Sequence, residues 1–227
     1  MMNNLFSIFD PITSSFLSLN WMSSFIFLMF IPQIFWLSPY KYIQIWKLIN
    51  NFILNEIKIP LIFKNSTNIM IFNSMFIFIM LNNFISLFPY IFNSSSHLSF
   101  SLSFSLTLWV SFMLFGWMNY SLHMFIHLTP QGTPYILMPF MVLIESISNF
   151  IRPLTLAIRL SANIIAGHLL ITLMSQTANS LNMLFIIILI MLQAILLTLE
   201  LAVSFIQAYV FSILSTLYSS ETNYEIK

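Results

Sequence analysis

The chain has 227 residues, of which 59% are hydrophobic and only 6% are charged, and its mean hydropathy is +0.93. A soluble domain carries about 25% charged residues, so this composition excludes a soluble enzyme and a disordered protein. A net charge of +1 excludes a nucleic-acid-binding protein, which needs a basic surface. The lack of cysteine excludes a disulfide scaffold and a thiolate metal site. The composition therefore predicts an integral membrane protein.

The first apolar run, at 16–37, would form an α-helix about 33 Å long, enough to cross a hydrocarbon layer about 30 Å thick. We therefore predict a first transmembrane helix within 1–38, with a kink at Pro32 near its end. Residues 41–58 differ, because polar side chains recur there at three- and four-residue spacing on one helical face. That pattern predicts an amphipathic helix lying in the membrane interface.

Two more apolar runs, 69–87 and 98–118, are separated by a short polar break and predict a transmembrane hairpin over 67–118. The stretch 135–220 is apolar except near 175–182, which divides it into two segments of about 38 residues. As helices these segments would be about 57 Å long, nearly twice the hydrocarbon thickness. Each is therefore either two helices with a hidden turn or one strongly tilted helix. The lack of Pro and Gly in the final segment favours the tilted helix.

The predicted fold class is all-α: one integral membrane domain over 1–227, with about five membrane-spanning helices and one interfacial helix. The last two helices are expected to be long and strongly tilted. Lysines at 41–64 follow the first crossing, and the positive-inside rule places them on the side of synthesis. The N-terminus then faces the opposite side, and five crossings return the C-terminus to the side of synthesis.

Only four charged residues lie between positions 65 and 220, and they are expected to mark the functional site. They are Glu145, Arg152, Arg159 and Glu200. The first three are spaced by seven residues, which on an α-helix is a net rotation of about 20°, so they share nearly one face. Glu200 lies at the same spacing between Gln193 and Gln207. Each of the last two helices is thus predicted to carry one narrow polar stripe.

Arg159 is the charge without an assured partner in its own helix. A charged side chain at the bilayer centre costs about 2.5–3.5 kcal/mol on insertion scales. Glu145 lies about four turns away, too far for contact along a continuous helix. Glu200 stays possible as an internal partner. The other possibilities are water or a partner in another chain.

The histidines are the remaining candidates. His168 lies nine residues after Arg159, on the opposite side of the same helix, and Glu200 on the final helix is its candidate partner. His123 and His127 have the i, i+4 spacing of metal ligands, but their loop offers no third ligand of similar quality. A haem would need a matched pair of histidines on transmembrane helices. We therefore expect no metal site and no cofactor.

Several stretches resemble subunit a of F-type ATP synthases in its mitochondrially encoded form. Residues 159–170, RLSANIIAGHLL, are similar to the signature of that family, with Ser161 where many relatives carry Thr. Residues 127–134, HLTPQGTP, and residues 87–90, LFPY, resemble the family too. So does the segment from Glu200 to Gln207. The resemblance covers essentially the whole chain.

The resemblance implies a stator subunit beside a rotating ring of c-subunits. Two aqueous half-channels would pass protons to and from the ring carboxylates, and the membrane potential would drive rotation. Arg159 matches the family's essential arginine, which separates the half-channels and interacts with the deprotonated ring carboxylate. The residues that match the inlet path are Asn163, His168, Glu200 and Gln207. Glu145 matches an acid near the outlet on the matrix side, whereas Arg152 is not part of the motif in every relative.

The same resemblance implies a multi-pass protein of the mitochondrial inner membrane, with its N-terminus in the intermembrane space and its C-terminus in the matrix. Its partners would be the ring of c-subunits, other membrane-sector and peripheral-stalk subunits and the lipid bilayer, with no nucleic acid. By itself the chain would be non-catalytic, a proton-translocating part of the H⁺-transporting complex. The alternatives are a subunit of another organellar proton or cation transporter, which would show inverted repeats, and a purely structural membrane anchor.

Overall fold

The protein is all-helical across the residues that the computed structural model describes, which are 5–14, 17–33, 40–61, 66–88, 90–129, 132, 134–178 and 182–222. The α-helices in chain order are α1 (Lys41–Lys58), α2 (Ser66–Ser86), α3 (Leu98–Asn119), α4 (Ser121–Leu128), α5 (Met138–Thr177) and α6 (Met183–Thr222). In this part of the chain, α2, α3, α5 and α6 are long and apolar enough to cross a membrane. The predicted fold class, an all-α polytopic membrane protein, is confirmed.

The first apolar run differs from the expected α-helix over 16–37. The structure has a 3-10 helix at Leu19–Phe30, a shorter apolar element of about 24 Å at the usual 3-10 rise. It ends before Pro32 because a proline disfavours helical backbone at the preceding residue, and Ile31 is extended with ψ 117°. Pro32 thus ends the helix instead of kinking it. The rest of the predicted span, at 34–37, lies outside the described residues.

The helix α1 has the bounds predicted for the amphipathic helix. Ile43, Ile53 and Ile57 are buried, whereas the predicted polar face, including Lys47, is exposed. Its interfacial position stays a prediction.

The polar break between α2 and α3 is a buried 3-10 turn at Ser94–Ser96, and the rings of Phe72 and Phe112 lie 5.9 Å apart across the two helices. The transmembrane hairpin itself stays a prediction, because α3 packs mainly against α5 and α6. The region 119–134, expected to be a loop, contains the short helix α4.

The two long segments of the C-terminal half are each one continuous helix of 40 residues, so the hidden-turn alternative is wrong. Helix α5 continues through Pro153, which is buried inside it. At 1.5 Å per residue each helix is about 60 Å long, twice the hydrocarbon thickness, and this length is what supports the predicted strong tilt.

Helix α2 lies at the centre of the molecule and packs against α1, α6 and the helix Leu19–Phe30. Its buried apolar side chains meet those of α5 and α6 in one core that includes Phe72, Leu160 and Phe211. From Glu200 onward the buried face of α6 is mostly small or hydroxylated. Small residues let membrane helices approach closely, which brings the polar stripe of α6 against α2 and α5.

Candidate functional site

His168, in the C-terminal part of α5, and Glu200, in the middle of α6, lie next to each other. His168 Nε2 lies 3.9 Å from Glu200 Oε1, and only 16% of the His168 side chain and 9% of the Glu200 side chain are exposed. The predicted pairing of these residues is confirmed. The distance is too long for a direct hydrogen bond but within the range of electrostatic attraction.

Close approach of the two helices at this point depends on Gly167. A Cβ atom at this position would lie 2.5 Å from Glu200 Oε1 and 2.7 Å from Glu200 Cδ. A side chain of any other residue would therefore displace the carboxyl group. Phe9, from the N-terminal 3-10 helix Leu5–Phe9, covers the other side of His168, with ring centroids 6.3 Å apart.

A small cavity lies beside Glu200 and two other predicted site residues. Asn163 of α5 and Gln207 of α6 line this cavity together with Glu200, and α2 contributes Asn83 and Ser86. The cavity volume is about 10 Å³, close to the minimum that holds one water molecule. We call this cavity and the adjoining His168 the His168–Glu200 site.

Polar atoms without hydrogen-bond partners in the described chain are concentrated here. They include both carboxylate oxygens of Glu200, His168 Nε2, and the side-chain nitrogen and oxygen of Asn83. A buried polar atom without a partner costs about 1–3 kcal/mol, so this arrangement does not serve folding stability. The two titratable groups, an imidazole and a carboxyl group, are of the kinds that can accept and donate protons.

Reasoning from the sequence missed the contribution of α2. Asn83 and Ser86 are only 1% and 3% exposed, although they lie in an otherwise apolar helix. The available signal was their spacing of three residues, which puts two polar side chains on one helical face near its C-terminal end. Polar residues inside a predicted membrane span face the protein interior, and this rule would have flagged both of them.

Arg159 lies apart from that cavity. Its side chain is exposed, and no carboxylate of the described residues lies within ion-pairing distance of it. Ile158, Ala162 and Asn163 are exposed beside it, so one face of α5 has no partner within the described chain. The possibility that Glu200 is the internal partner of Arg159 is therefore wrong, because Glu200 lies with His168 instead.

Glu145, the predicted outlet residue, belongs to a second charged group. Arg152 Nη1 lies 2.6 Å from Glu221 Oε2, and Arg152 Nη2 lies 3.6 Å from Glu145 Oε1. The Arg152 guanidinium also lies over the Tyr218 ring, 5.2 Å from its centroid. We call these four residues the Arg152 cluster. Sequence analysis missed Glu221 because it grouped this residue with the charges of the C-terminal tail.

The predicted site residues thus fall into three places along α5 and α6. The members of the His168–Glu200 site are Asn163, His168, Glu200 and Gln207. Arg159 stands alone on an exposed face, and Glu145 lies in the Arg152 cluster. Seven residues separate Arg152 from Arg159, about 10 Å along the helix axis. Arg159, which has no carboxylate partner among the described residues, therefore lies between the His168–Glu200 site and the Arg152 cluster.

The remaining histidine pair, His123 and His127, lies on α4, away from the three places on α5 and α6. The ring centroids of His123 and His127 are 6.3 Å apart. Within the described part of the chain, no group of three or more His, Cys, Asp or Glu side chains is placed to hold a metal ion.

Membrane-length helices that bury a His–Glu pair, and that carry an exposed arginine without a carboxylate partner among the described residues, are typical of ion-translocating membrane proteins. The comparison with known proteins specifies the family. The sequence pattern of the family described as ATP synthase A chain matches residues 3–220. The chain therefore belongs to this family, and the resemblance stated from its sequence motifs is confirmed.

Individual relatives agree over nearly the whole chain. The chain is 57% identical to ATP synthase subunit a of Locusta migratoria, over 97% of this chain and 99% of the relative. It is 55% identical to ATP synthase subunit a of Drosophila simulans, over 98% of this chain and 100% of the relative. Identity to the protein of the same name from Aedes aegypti is 54%, again over 98% and 100%.

Proposed function

We propose that the chain is the proton-conducting stator subunit of the membrane sector of an ATP synthase. It passes protons through two half-channels to and from carboxylates on a ring of c-subunits, and this transfer drives the ring to rotate. Each elementary charge that crosses the membrane releases about 2.3 kcal/mol per 100 mV of membrane potential. The chain is non-catalytic by itself and contributes proton transfer to the H⁺-transporting complex.

The inlet half-channel delivers protons through the His168–Glu200 site. The cavity lined by Asn163 and Gln207 holds a water molecule against the Glu200 carboxylate, and His168 exchanges protons with that carboxylate across 3.9 Å. A hydrogen-bonded water can carry a proton between the two groups. The burial of both side chains limits proton leakage into the surrounding lipid.

Arg159 faces the ring of c-subunits and separates the two half-channels. A guanidinium in lipid is stable only when a carboxylate or water accompanies it, and the described chain offers no such carboxylate. A ring carboxylate that has lost its proton supplies the missing negative charge. The small side chain of Ala162 beside Arg159 permits the close approach of a partner helix.

The outlet half-channel leads past Glu145 to the matrix. In this orientation α1 lies in the matrix interface, the N-terminus lies in the intermembrane space and the C-terminus in the matrix, with the whole chain in the mitochondrial inner membrane. The lysines of α1 support this orientation through the positive-inside rule. Other membrane-sector and peripheral-stalk subunits and lipid cover the remaining apolar faces. A role as subunit of a different cation transporter does not fit the family match.

The observation that carries this proposal is the exposed Arg159 without a partner, between the His168–Glu200 site and the Arg152 cluster. Site-directed cysteine crosslinking in the assembled complex tests it, because the native chain contains no cysteine. Ala162→Cys places the thiol on the exposed face, and Ala157→Cys is the matched control on the same helix, since Ala157 is fully buried.

We expect the cysteine at 162 to crosslink to a small membrane protein that carries an intramembrane carboxylate, and the cysteine at 157 to give no product. If the cysteine at 162 reacts only with lipid-soluble reagents and never with a ring subunit, the proposed rotor-facing surface is wrong.

A further inference from the structure

Arg152 has no assigned role, yet its side chain contacts two carboxyl groups and one aromatic ring. Its guanidinium touches a carboxylate on its own helix, Glu145, a carboxylate on α6, Glu221, and the face of Tyr218. Arginine suits such a position because its planar fork can serve two carboxylates while its face stacks on an aromatic ring.

The two contacts with carboxylates are unequal. Glu221 Oε2 is 2.6 Å from Arg152 Nη1, a tight charge-assisted hydrogen bond, whereas Glu145 Oε1 is 3.6 Å from Nη2, too far for a hydrogen bond. Glu221 is therefore the residue that fixes Arg152 in place. Glu145 is held less tightly, by electrostatic attraction alone.

The guanidinium lies between two carboxyl groups that come from different helices, Glu145 of α5 and Glu221 of α6. A change at Arg152 therefore alters the surroundings of Glu145 directly. About one-third of the Glu145 side chain is exposed, so its carboxyl group is not sealed between the two helices.

We propose that Arg152 is a positioning residue for proton release: Glu221 and Tyr218 hold its guanidinium, and the guanidinium in turn keeps the Glu145 carboxyl group in place at the outlet. This inference rests on the proposed function, in which Glu145 lies on the outlet half-channel. It differs from a purely structural role, in which Arg152 would only fasten the C-terminal end of α6 to α5.

A double-mutant cycle in the assembled complex distinguishes these roles. The measured quantity is ATP-driven proton pumping in vesicles per amount of assembled complex. We expect Arg152→Gln to lower pumping roughly tenfold, within the usual range for coupled charges in contact. In a Glu145→Gln background the same change should have no further effect, because Arg152 acts through Glu145. Lys47→Gln, which removes an exposed cation on α1, is the matched control and should pump normally.

Further variants keep the test decisive if Arg152→Gln fails to assemble. Arg152→Lys retains the positive charge and should restore most of the pumping. Glu221→Gln removes the carboxylate that fixes Arg152 and should also lower pumping, and this loss too should disappear in a Glu145→Gln background. If the effects of Arg152→Gln and Glu145→Gln multiply, Arg152 is only a structural link between α5 and α6 and the inference is wrong.

The failure of the inference can be separated from the failure of the proposed function. If Glu145→Gln itself leaves pumping unchanged, the assignment of Glu145 to the outlet is wrong. If Glu145→Gln lowers pumping and neither Arg152→Gln nor Arg152→Lys does so, the outlet assignment stands and only the role of Arg152 is wrong.

Discussion

The His168–Glu200 site and the Arg152 cluster lie on the same two helices, but they treat charge in opposite ways. In the first, an acid and a base are buried 3.9 Å apart, with several polar atoms that have no partner in the described chain. In the second, two partly exposed acids share one arginine at 2.6 Å and 3.6 Å. A site that must move protons between buried groups leaves hydrogen-bonding capacity unused, whereas a site open to water can satisfy its charges.

Arg159 lies between these two sites, and its loss should have the largest effect on proton transport. Arg159→Ala removes the cation between the two sites and should abolish ATP-coupled proton transport. Assembly should persist, because Arg159 has no ion pair within the described chain to lose. The measurement is ATP synthesis and proton pumping in vesicles, with native electrophoresis to verify assembly and Lys47→Gln as the control. Retained ATP synthesis in Arg159→Ala would overturn the mechanism.

The next largest effect is expected at the His168–Glu200 site. Replacing either residue by Ala removes one member of the relay and should lower proton pumping about a hundredfold, the low end of what a positioned acid or base contributes. Exchanging the two, as His168→Glu with Glu200→His, retains an acid and a base in contact and should be better tolerated. Pumping rates of the three variants decide the matter: a double exchange no better than the single losses would contradict a direct relay between them.

The spacing of residues along the chain predicted well which side chains share a face of each helix. It predicted the contacts between helices less well. The seven-residue repeat of Glu145, Arg152 and Arg159 placed three charges on one face, and two of them do meet in the Arg152 cluster. The pairing of His168 with Glu200 rested on the scarcity of other partners, because a helical period carries no information about which residues of another helix lie opposite.

What the sequence could not predict depends on packing between helices. The cavity needs Asn83 of α2 against Gln207 of α6, and nothing in either helix specifies the depth at which the two cross. The 3-10 form of Leu19–Phe30 was also missed, since an apolar run predicts a helix but not its hydrogen-bonding pattern. Glu221 was missed because its partner, Arg152, lies 69 residues earlier in the chain.

A smaller effect is expected from crowding the His168–Glu200 site without removing any polar group. Gly167→Ala would put a methyl group 2.5 Å from Glu200 Oε1 and 2.7 Å from Glu200 Cδ, so the carboxyl group must move from its place beside His168. We expect a clear loss of proton pumping with the complex still assembled. Gly116→Ala is the matched control, because its added methyl meets the flexible end of Met124 at 3.1 Å. Equal pumping by the two alanine variants would show that the close approach at Gly167 has no part in proton transfer.

The smallest expected effect tests whether the polar atoms without partners serve the hydration of the cavity or the packing of the core. Asn83→Leu replaces a buried amide, neither of whose polar atoms has a partner in the described chain, by an apolar group of similar size. Removing an unsatisfied buried amide should raise stability by about 1–3 kcal/mol, whereas loss of a water ligand should lower pumping severalfold. The two readouts, Tm of the assembled complex and proton pumping, should therefore move in opposite directions, with Asn68→Leu at the other end of α2 as the control. A fall in both Tm and proton pumping would instead assign Asn83 to the packing of the core. That result would contradict a water site in the cavity beside Glu200.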